Sequence, residues 1–396
     1  MNKLWMILLM FSLAAVAADK EIYVTIDSDA VASSQKSLVS VKKMAANSGI
    51  TVLKIKESDI ENLSHMMHED HKRCGGFVFH ESKAEALAVL ENNKTRKTAK
   101  NMLFTQYTMT ETPRVESMLT QVNELTIRET IISLSKFHNR YYNSKTGVES
   151  QAHIKGLWEK LSQGRSDTTV EFFNHSSWKQ PSVIMTIAGS SKADEIIVIG
   201  GHADSIAGWW GKEKARAPGA DDNASGIATI TEIIKVLMDN NYKPQRTIQF
   251  MAYAAEEVGL RGSKAIAKDF KNDKKDVVGV VQFDMTNHNG SSNLDIVFMS
   301  DYTNQAQTKF MGALIDKYLS NVTWGYSKCG YACSDHASWH NAGYPASMPF
   351  ESTMGDINSV IHSKKDTIDH GASAGNADHA EKFARLGLAF AIEMGK

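Results

Sequence analysis

Five side chains able to bind metal lie along the second half of the chain: His202, Asp221, Glu257, Asp284 and His362. Two histidines, two aspartates and one glutamate are what a pair of zinc ions requires if one carboxylate bridges them. Glu256 stands immediately before Glu257. Adjacent carboxylates at the end of a strand cannot point the same way. One of the two can therefore bind metal while the other faces a metal-bound water as its acid and base. Hydrolysis is the leading reading.

Each motif also has a plainer reading. The string Ile199-Gly200-Gly201-His202 ends an apolar run, and its glycines let the backbone turn so that His202 projects. Asp204 is placed to accept the other imidazole N–H, which would fix the tautomer. Asp221-Asp222-Asn223 sits at the mouth of a helical pattern. Asp221 is short and rigid enough to bridge two metals, with Asp222 behind it, yet all three serve equally well as cap and turn residues. Glu256 and Glu257 could be a charge pair at a helix entry, and a loop histidine such as His362 is usually just solvated. Asp284 is harder to dismiss. It ends the most apolar strand of the chain, where a carboxylate without a partner is costly. The force of the argument is the set: five groups, most of them at strand ends.

The surrounding pattern supplies the elements. Residues 182–187, 195–199, 247–254, 277–283 and 294–299 read as strands. Helical patterns cover 115–142, 224–238, 260–270, 305–319 and 380–394. The run 277–283 is continuously apolar, the type buried on both faces of a parallel sheet. This alternation implies an α/β fold, a three-layer sandwich whose central mixed, mostly parallel sheet is flanked by helices. Ligands in such folds collect at the C-terminal ends of the strands. Residues 19–110 read separately as a small α+β unit, with short strands at 21–25, 51–55 and 77–79. Residues 92–100 are basic and polar, and a proline follows within 110–114, so this region reads as a linker and processing site.

Bulk properties narrow the class. The chain has 396 residues, 42% hydrophobic and 22% charged, with a formal net charge of −1. That is a globular composition without the basic surplus of a nucleic-acid or anionic-membrane binder. Residues 1–18 read as a signal peptide: Lys3, then an apolar stretch, then Ala15-Val16-Ala17 as a small-residue cleavage site. The expectation is an exported protein without a stable membrane anchor. Of three cysteines, Cys329 and Cys333 are spaced for a local disulfide in an oxidising compartment. The rival reading, half of a structural zinc site, needs a second pair, and only Cys74 remains. His65, His68 and His71 read as a solvated polar helix face rather than as extra ligands.

Taken together, these motifs resemble those of the secreted bacterial leucyl aminopeptidases, dizinc exopeptidases related to glutaminyl cyclases and glutamate carboxypeptidases. The resemblance covers residues 111–396 and extends to the string Cys329-Gly330-Tyr331-Ala332-Cys333-Ser334-Asp335-His336. It implies two zinc ions per chain, one held by His202 and Asp284, the other by Glu257 and His362, with Asp221 bridging. It also implies a cis peptide between Asp221 and Asp222. Glu256 would be general base and then general acid, and Tyr331 would donate its phenol to the substrate carbonyl oxygen. An apolar pocket of Met285, Met299, Met348, Phe350, Met354, Ile357 and Ile361, together with Cys329, Tyr331 and Cys333, would receive the N-terminal side chain. Met354 and Ile357 stand where the pattern of the best-known members has aromatics. The implied partners are peptides with a free apolar N-terminal residue, leucine preferred, and a processing protease that removes residues 19–110 as an inhibitory, folding-assisting propeptide. A monomer is expected.

Three rivals remain. A glutaminyl cyclase would use one zinc. A binding relative without catalysis would have lost ligands or the counterpart of Glu256. A carboxypeptidase would want a basic pocket for the substrate carboxylate, and none is evident in the sequence.

Overall fold

A computed structural model describes residues 19–71, 73, 75–96, 107–208, 212–370 and 375–396. The expected signal segment, Cys74 and the end of the basic run at 97–100 lie outside the described residues. Among the described residues no helix is long and apolar enough to cross a membrane.

The N-terminal unit comprises β1 (Glu21–Asp27), α1 (Val31–Ser37), β2 (Val41–Asn47), β3 (Ile50–Lys56), α2 (Ile60–His71), β4 (Phe77–His80) and α3 (Lys83–Arg96). Its strands form an antiparallel sheet in the order β2-β3-β1-β4. Three of these strands match the expected ones. β2 was not expected, because Val41–Asn47 carries two lysines and little alternation.

The remainder begins with α4 (Thr112–Leu119), α5 (Glu124–Ser135) and α6 (Lys145–Leu161), and continues with β5 (Thr168–Phe173), β6 (Ser182–Ile187) and β7 (Lys192–His202). Then come α7 (Gly226–Asp239), β8 (Arg246–Tyr253), α8 (Arg261–Asn272), β9 (Asp276–Gln282) and β10 (Ile296–Met299). The chain closes with α9 (Gln305–Tyr318), β11 (Trp324–Ser327), α10 (His336–Ala342), β12 (Ala346–Ser347), β13 (Pro349–Phe350) and α11 (Asp378–Met394). The helical pattern expected over 115–142 is two helices. Asn123 breaks it by accepting a hydrogen bond from the Leu125 amide at 2.8 Å, an N-cap that starts α5 anew. Pro113 is likewise not part of a linker but lies in the first turn of α4, where its missing N–H costs nothing.

The main sheet runs β12-β9-β7-β8-β6-β5. β12, β9, β7 and β8 are parallel, while β6 and β5 add antiparallel pairs. Both faces are apolar, and alternate residues of one strand serve different layers. Ile197 and Ile199 of β7 pack with α7 and α11, whereas Ile196 and Val198 pack with Ile266 of α8 and Trp339 of α10. This is the expected three-layer sandwich. β7 is flanked by β8 and β9, so the C-terminal ends of three parallel strands open side by side on one edge.

Candidate active site

Those three strand ends carry the chemistry. His202 is the last residue of β7, Glu256 and Glu257 follow β8, and Asp284 follows β9. Asp222 arrives from the turn before α7, and His362 from the long loop before α11. Several backbones here are held in the left-handed region: Ala255 at φ 57°, Met285 at φ 55° and His362 at φ 54°. None is glycine, so each position carries a cost of roughly 1–2 kcal/mol that the surrounding structure must offset.

The distances divide the groups into two triads. His202 Nε2 lies 3.0 Å from Asp222 Oδ1 and 3.3 Å from Asp284 Oδ1. His362 Nε2 lies 3.1 Å from Asp222 Oδ2 and 2.8 Å from Glu257 Oε2. Separations of this size are the edges of a coordination polyhedron with bonds of about 2.0–2.1 Å. The two triads share Asp222, whose two oxygens face different histidines. The donor set is buried, nitrogen- and oxygen-only, and rich in carboxylates. So many anions in a dry interior require cations. The residues therefore fit zinc.

This geometry corrects the assignment by one position. Asp222, not Asp221, stands between the histidines. The Asp221 carboxylate turns away and accepts hydrogen bonds from the Asn287 amide at 3.1 Å and Asn358 Nδ2 at 2.7 Å. The cis peptide, too, falls one bond later, at Asp222–Asn223. The turn is set by Asp366, whose carboxylate accepts from the amides of Asp221 at 2.9 Å and Asp222 at 3.1 Å. Asn223 completes it, donating to the carbonyls of His202 and Phe283 and accepting from the amides of Gly226 and Met285.

Asp204 has a larger part than expected. His202 Nδ1 is 3.2 Å from its carbonyl oxygen and 3.4 Å from its carboxylate. That carboxylate also accepts from the Glu256 and Glu257 amides at 3.0 and 3.2 Å. One buried aspartate thus orients both the histidine and the glutamate pair. On the far side, Ser334 donates to Asp284 Oδ2 at 2.5 Å.

Electrostatics follow burial and crowding. Burial alone would depress the His202 imidazole, but Asp284, Asp204 and Asp222 outweigh it and hold it well above its ordinary value. His362 behaves likewise: Glu257 and Asp222 overcome its burial and push it up to about 10. Burial, with Glu257, Asp335 and Asp284 nearby, drives the Glu256 carboxyl well above the carboxylate range. Both Glu256 oxygens are buried without a hydrogen-bond partner among the described residues.

The expected apolar pocket is assembled as one cluster. Met285, Met299, Tyr331, Cys333, Met348, Phe350 and Ile361 are buried together, with Cys329, Met354 and Ile357 against them. A cavity in this cluster reaches Asp284. A disulfide joins Cys329 and Cys333. Tyr331 is buried beneath Arg73, whose guanidinium lies 5.2 Å from its ring centre.

The N-terminal unit covers the site. A Cβ placed on Gly75 would lie 3.7 Å from Glu256 Oε1, and the His68 ring centre is 4.5 Å from that of His362. His68 therefore reaches the site by ring contact, while His71 bonds to Ser33 inside its own unit. Sequence reasoning missed Lys212, which is buried in a second cavity with His65, His68, Glu69 and His362. Burial draws its ammonium down to about 8, against the pull of Glu257 and Glu61. No signal in the sequence marks it, because it depends on how α2 packs on the loop after β7.

Comparison with known proteins decides the family. The model of peptidase family M28 matches residues 182–386, about half of the chain. The chain belongs to peptidase family M28. This M28 chain is 36% identical over 288 residues to a probable leucine aminopeptidase of Arthroderma otae, covering 71% of this chain and 76% of that one. It superposes on the LapA aminopeptidase of Legionella pneumophila with a TM-score of 0.82 at 31% identity, covering 96% and 99% of the two chains. It also matches LapB of the same organism, with a TM-score of 0.80 at 29% identity over 95% and 100%. This M28 chain is a metallo-aminopeptidase, a hydrolase.

Proposed function

We propose that the chain is a secreted zinc aminopeptidase that releases apolar residues, leucine preferred, from the N-termini of peptides. The observation that carries this reading is Asp222, with one carboxylate oxygen toward each histidine. His202, Asp222 and Asp284 would hold one zinc, and Glu257, His362 and Asp222 the other. Bound zinc supplies a Lewis acid and a water acidified towards neutral pH. Two triads with a shared carboxylate favour two ions over the single zinc of a glutaminyl cyclase, and metal analysis distinguishes them.

The chain's own groups supply the rest. The apolar N-terminal side chain enters the pocket beside Asp284, which leaves the scissile carbonyl over Asp222 and near Glu256. Glu256 takes the proton of the attacking water and passes it to the leaving nitrogen. Its burial and crowding by other carboxylates suit a group that must hold a proton between the two steps. Tyr331 donates its phenol to the developing oxyanion. Residues 1–18 would direct export. Residues 19–110 would act as a propeptide, because Gly75, Arg73 and His68 stand over Glu256, Tyr331 and His362. A processing protease would remove it, leaving a monomer without a membrane anchor.

The test is release of p-nitroaniline from leucine p-nitroanilide by the protease-activated chain. Release should stop with a chelator, return with zinc and be absent with N-acetylated substrate. Hydrolysis that ignored the chelator and accepted the blocked substrate would sink the reading.

A further inference from the structure

Two cavities flank the triads at opposite ends. The apolar one reaches Asp284, and the other reaches His362. If the N-terminal side chain of a substrate occupies the first, the peptide beyond the scissile bond must run into the second. The floor of the second cavity is Ile206, Ala207, Gly208, Lys212 and His362, and its roof is α2, through Ser64, His65, His68 and Glu69. Lys212 is 1% exposed, and Glu257 and Glu61 attract its ammonium from a distance rather than in an ion pair. A buried ammonium with no carboxylate in contact is costly. Of the anions nearby, Glu61 and Glu69 belong to α2, and Glu257 belongs to the site itself. Once α2 leaves, Glu257 is the anion that remains, and it stands 2.8 Å from His362 Nε2. His362 and Ile206, also in the floor, offer no negative charge to the ammonium.

We propose that Lys212 is a specificity residue for the leaving side of the substrate, pairing with a carboxylate just beyond the scissile bond. This rests on the aminopeptidase reading. Two sources share that chemistry: the free C-terminus of a dipeptide, and an aspartate or glutamate side chain in the second residue. Lysine presents a point charge on a flexible stem, so it can serve either. The sequence alone hid this group and left a carboxylate-binding function without a basic pocket. Here the cation sits at the opposite end from the apolar pocket, which places the recognised carboxylate on the leaving fragment.

The experiment compares kcat/KM of the protease-activated chain on Leu-Ala, Leu-Ala-amide, Leu-Asp-amide and Leu-Asn-amide. A charge-assisted pair predicts a preference of about tenfold or more for the carboxylate member of at least one matched pair. Preference in the first pair names the C-terminus as the source, and in the second pair the side chain. Lys212→Met should bring the preferred ratio to within about twofold of one, and Lys212→Arg should restore part of it. Calorimetry of the same peptides on the zinc-loaded Glu256→Gln chain should show the same ratio in Kd without turnover. Wild-type ratios near one in both pairs would overturn the proposal, as would a ratio unchanged in Lys212→Met. Because the amide substrates report aminopeptidase activity independently, their cleavage at a ratio of one would refute only the role of Lys212. Failure to cleave any of the four would refute the reading beneath it.

Discussion

At the scale of single residues, the site is a problem of neighbours. Glu256 and Glu257 differ by one position and face different tasks, as do Asp221 and Asp222. Glu257→Gln removes an oxygen 2.8 Å from His362 Nε2, so that variant should lose one equivalent of zinc on dialysis. Glu256→Gln should retain both equivalents yet lose about 10²–10⁴ in kcat, the range of general acid–base catalysis. Asp222→Asn should weaken both metal positions, whereas Asp221→Asn should leave metal content near wild type. Mass spectrometry of dialysed protein reads all four, and metal loss from Asp221→Asn with retention in Asp222→Asn would refute the corrected assignment. The reason Asp222 was not legible is local. Two adjacent aspartates have the same chemistry, and only the non-helical backbone at Asp222 (φ −107°, ψ 93°) and Asn223 decides which one turns inward. Asp284 was legible because a carboxylate at the end of a fully apolar strand is stable only beside a cation or a hydrogen-bond donor.

At the scale of elements, strands deliver the ligands and one arginine holds the loops between them. Arg140 is fully buried between α5 and α6. It donates to the carbonyls of Ala203 at 2.8 Å, Pro218 at 2.5 Å and Gly219 at 2.8 Å. It therefore ties the exit of β7 to the turn that aims Asp222. Burial draws the guanidinium down to about 10, against Asp366, Asp222, Asp204 and Glu257, so it stays charged at neutral pH. Arg140→Met would orphan the carbonyls of Ala203 and Pro218 at roughly 1 kcal/mol or more each, while Gly219 keeps the Ala224 amide at 3.0 Å, so a loss of about 2 kcal/mol is expected. Arg140→Lys keeps the charge but not the fork, and should recover only part of it. Chemical denaturation of the zinc-loaded chain measures this, and an Arg140→Met chain as stable as wild type would show that the fork is dispensable. Apolar strands such as β7 and β9 were readable because burial on both faces leaves a continuous run. α6 and β5 were not, because their polar and apolar residues mix on half-exposed surfaces, as in Thr168–Phe173.

At the scale of the whole molecule, the N-terminal unit and the catalytic unit meet along α8. Arg261 pairs with Glu57 at 2.9 Å and lies 4.1 Å from the Phe79 ring centre. Lys264 pairs with Glu85 at 2.9 Å and Lys268 with Glu81 at 2.8 Å. Lys264 Nζ also stands 2.7 Å from His80 Nδ1, while His80 Nε2 is 3.0 Å from Thr25 Oγ1. An ammonium can only donate, so His80 must accept at Nδ1 and is neutral in the docked state. Burial, reinforced by Lys264, holds its pKa well below the ordinary histidine value. The sign follows: a depressed folded-state pKa gives stability that is present above the unfolded value, near 6.5, and is lost as pH falls through that window. The slope attributable to His80 should approach about 1.4 kcal/mol per pH unit below pH ~6. Glu81, which Lys268 holds below the usual carboxylate range, contributes only at lower pH. Glutamine at position 80 can accept from Lys264 and donate to Thr25 without titrating. Denaturant midpoints of full-length wild type and His80→Gln, measured between pH 5 and pH 7.5, should therefore converge on acidification if wild type starts as the more stable, or diverge if it starts as the less stable. Parallel curves would show that His80 carries no part of the acid sensitivity of this interface.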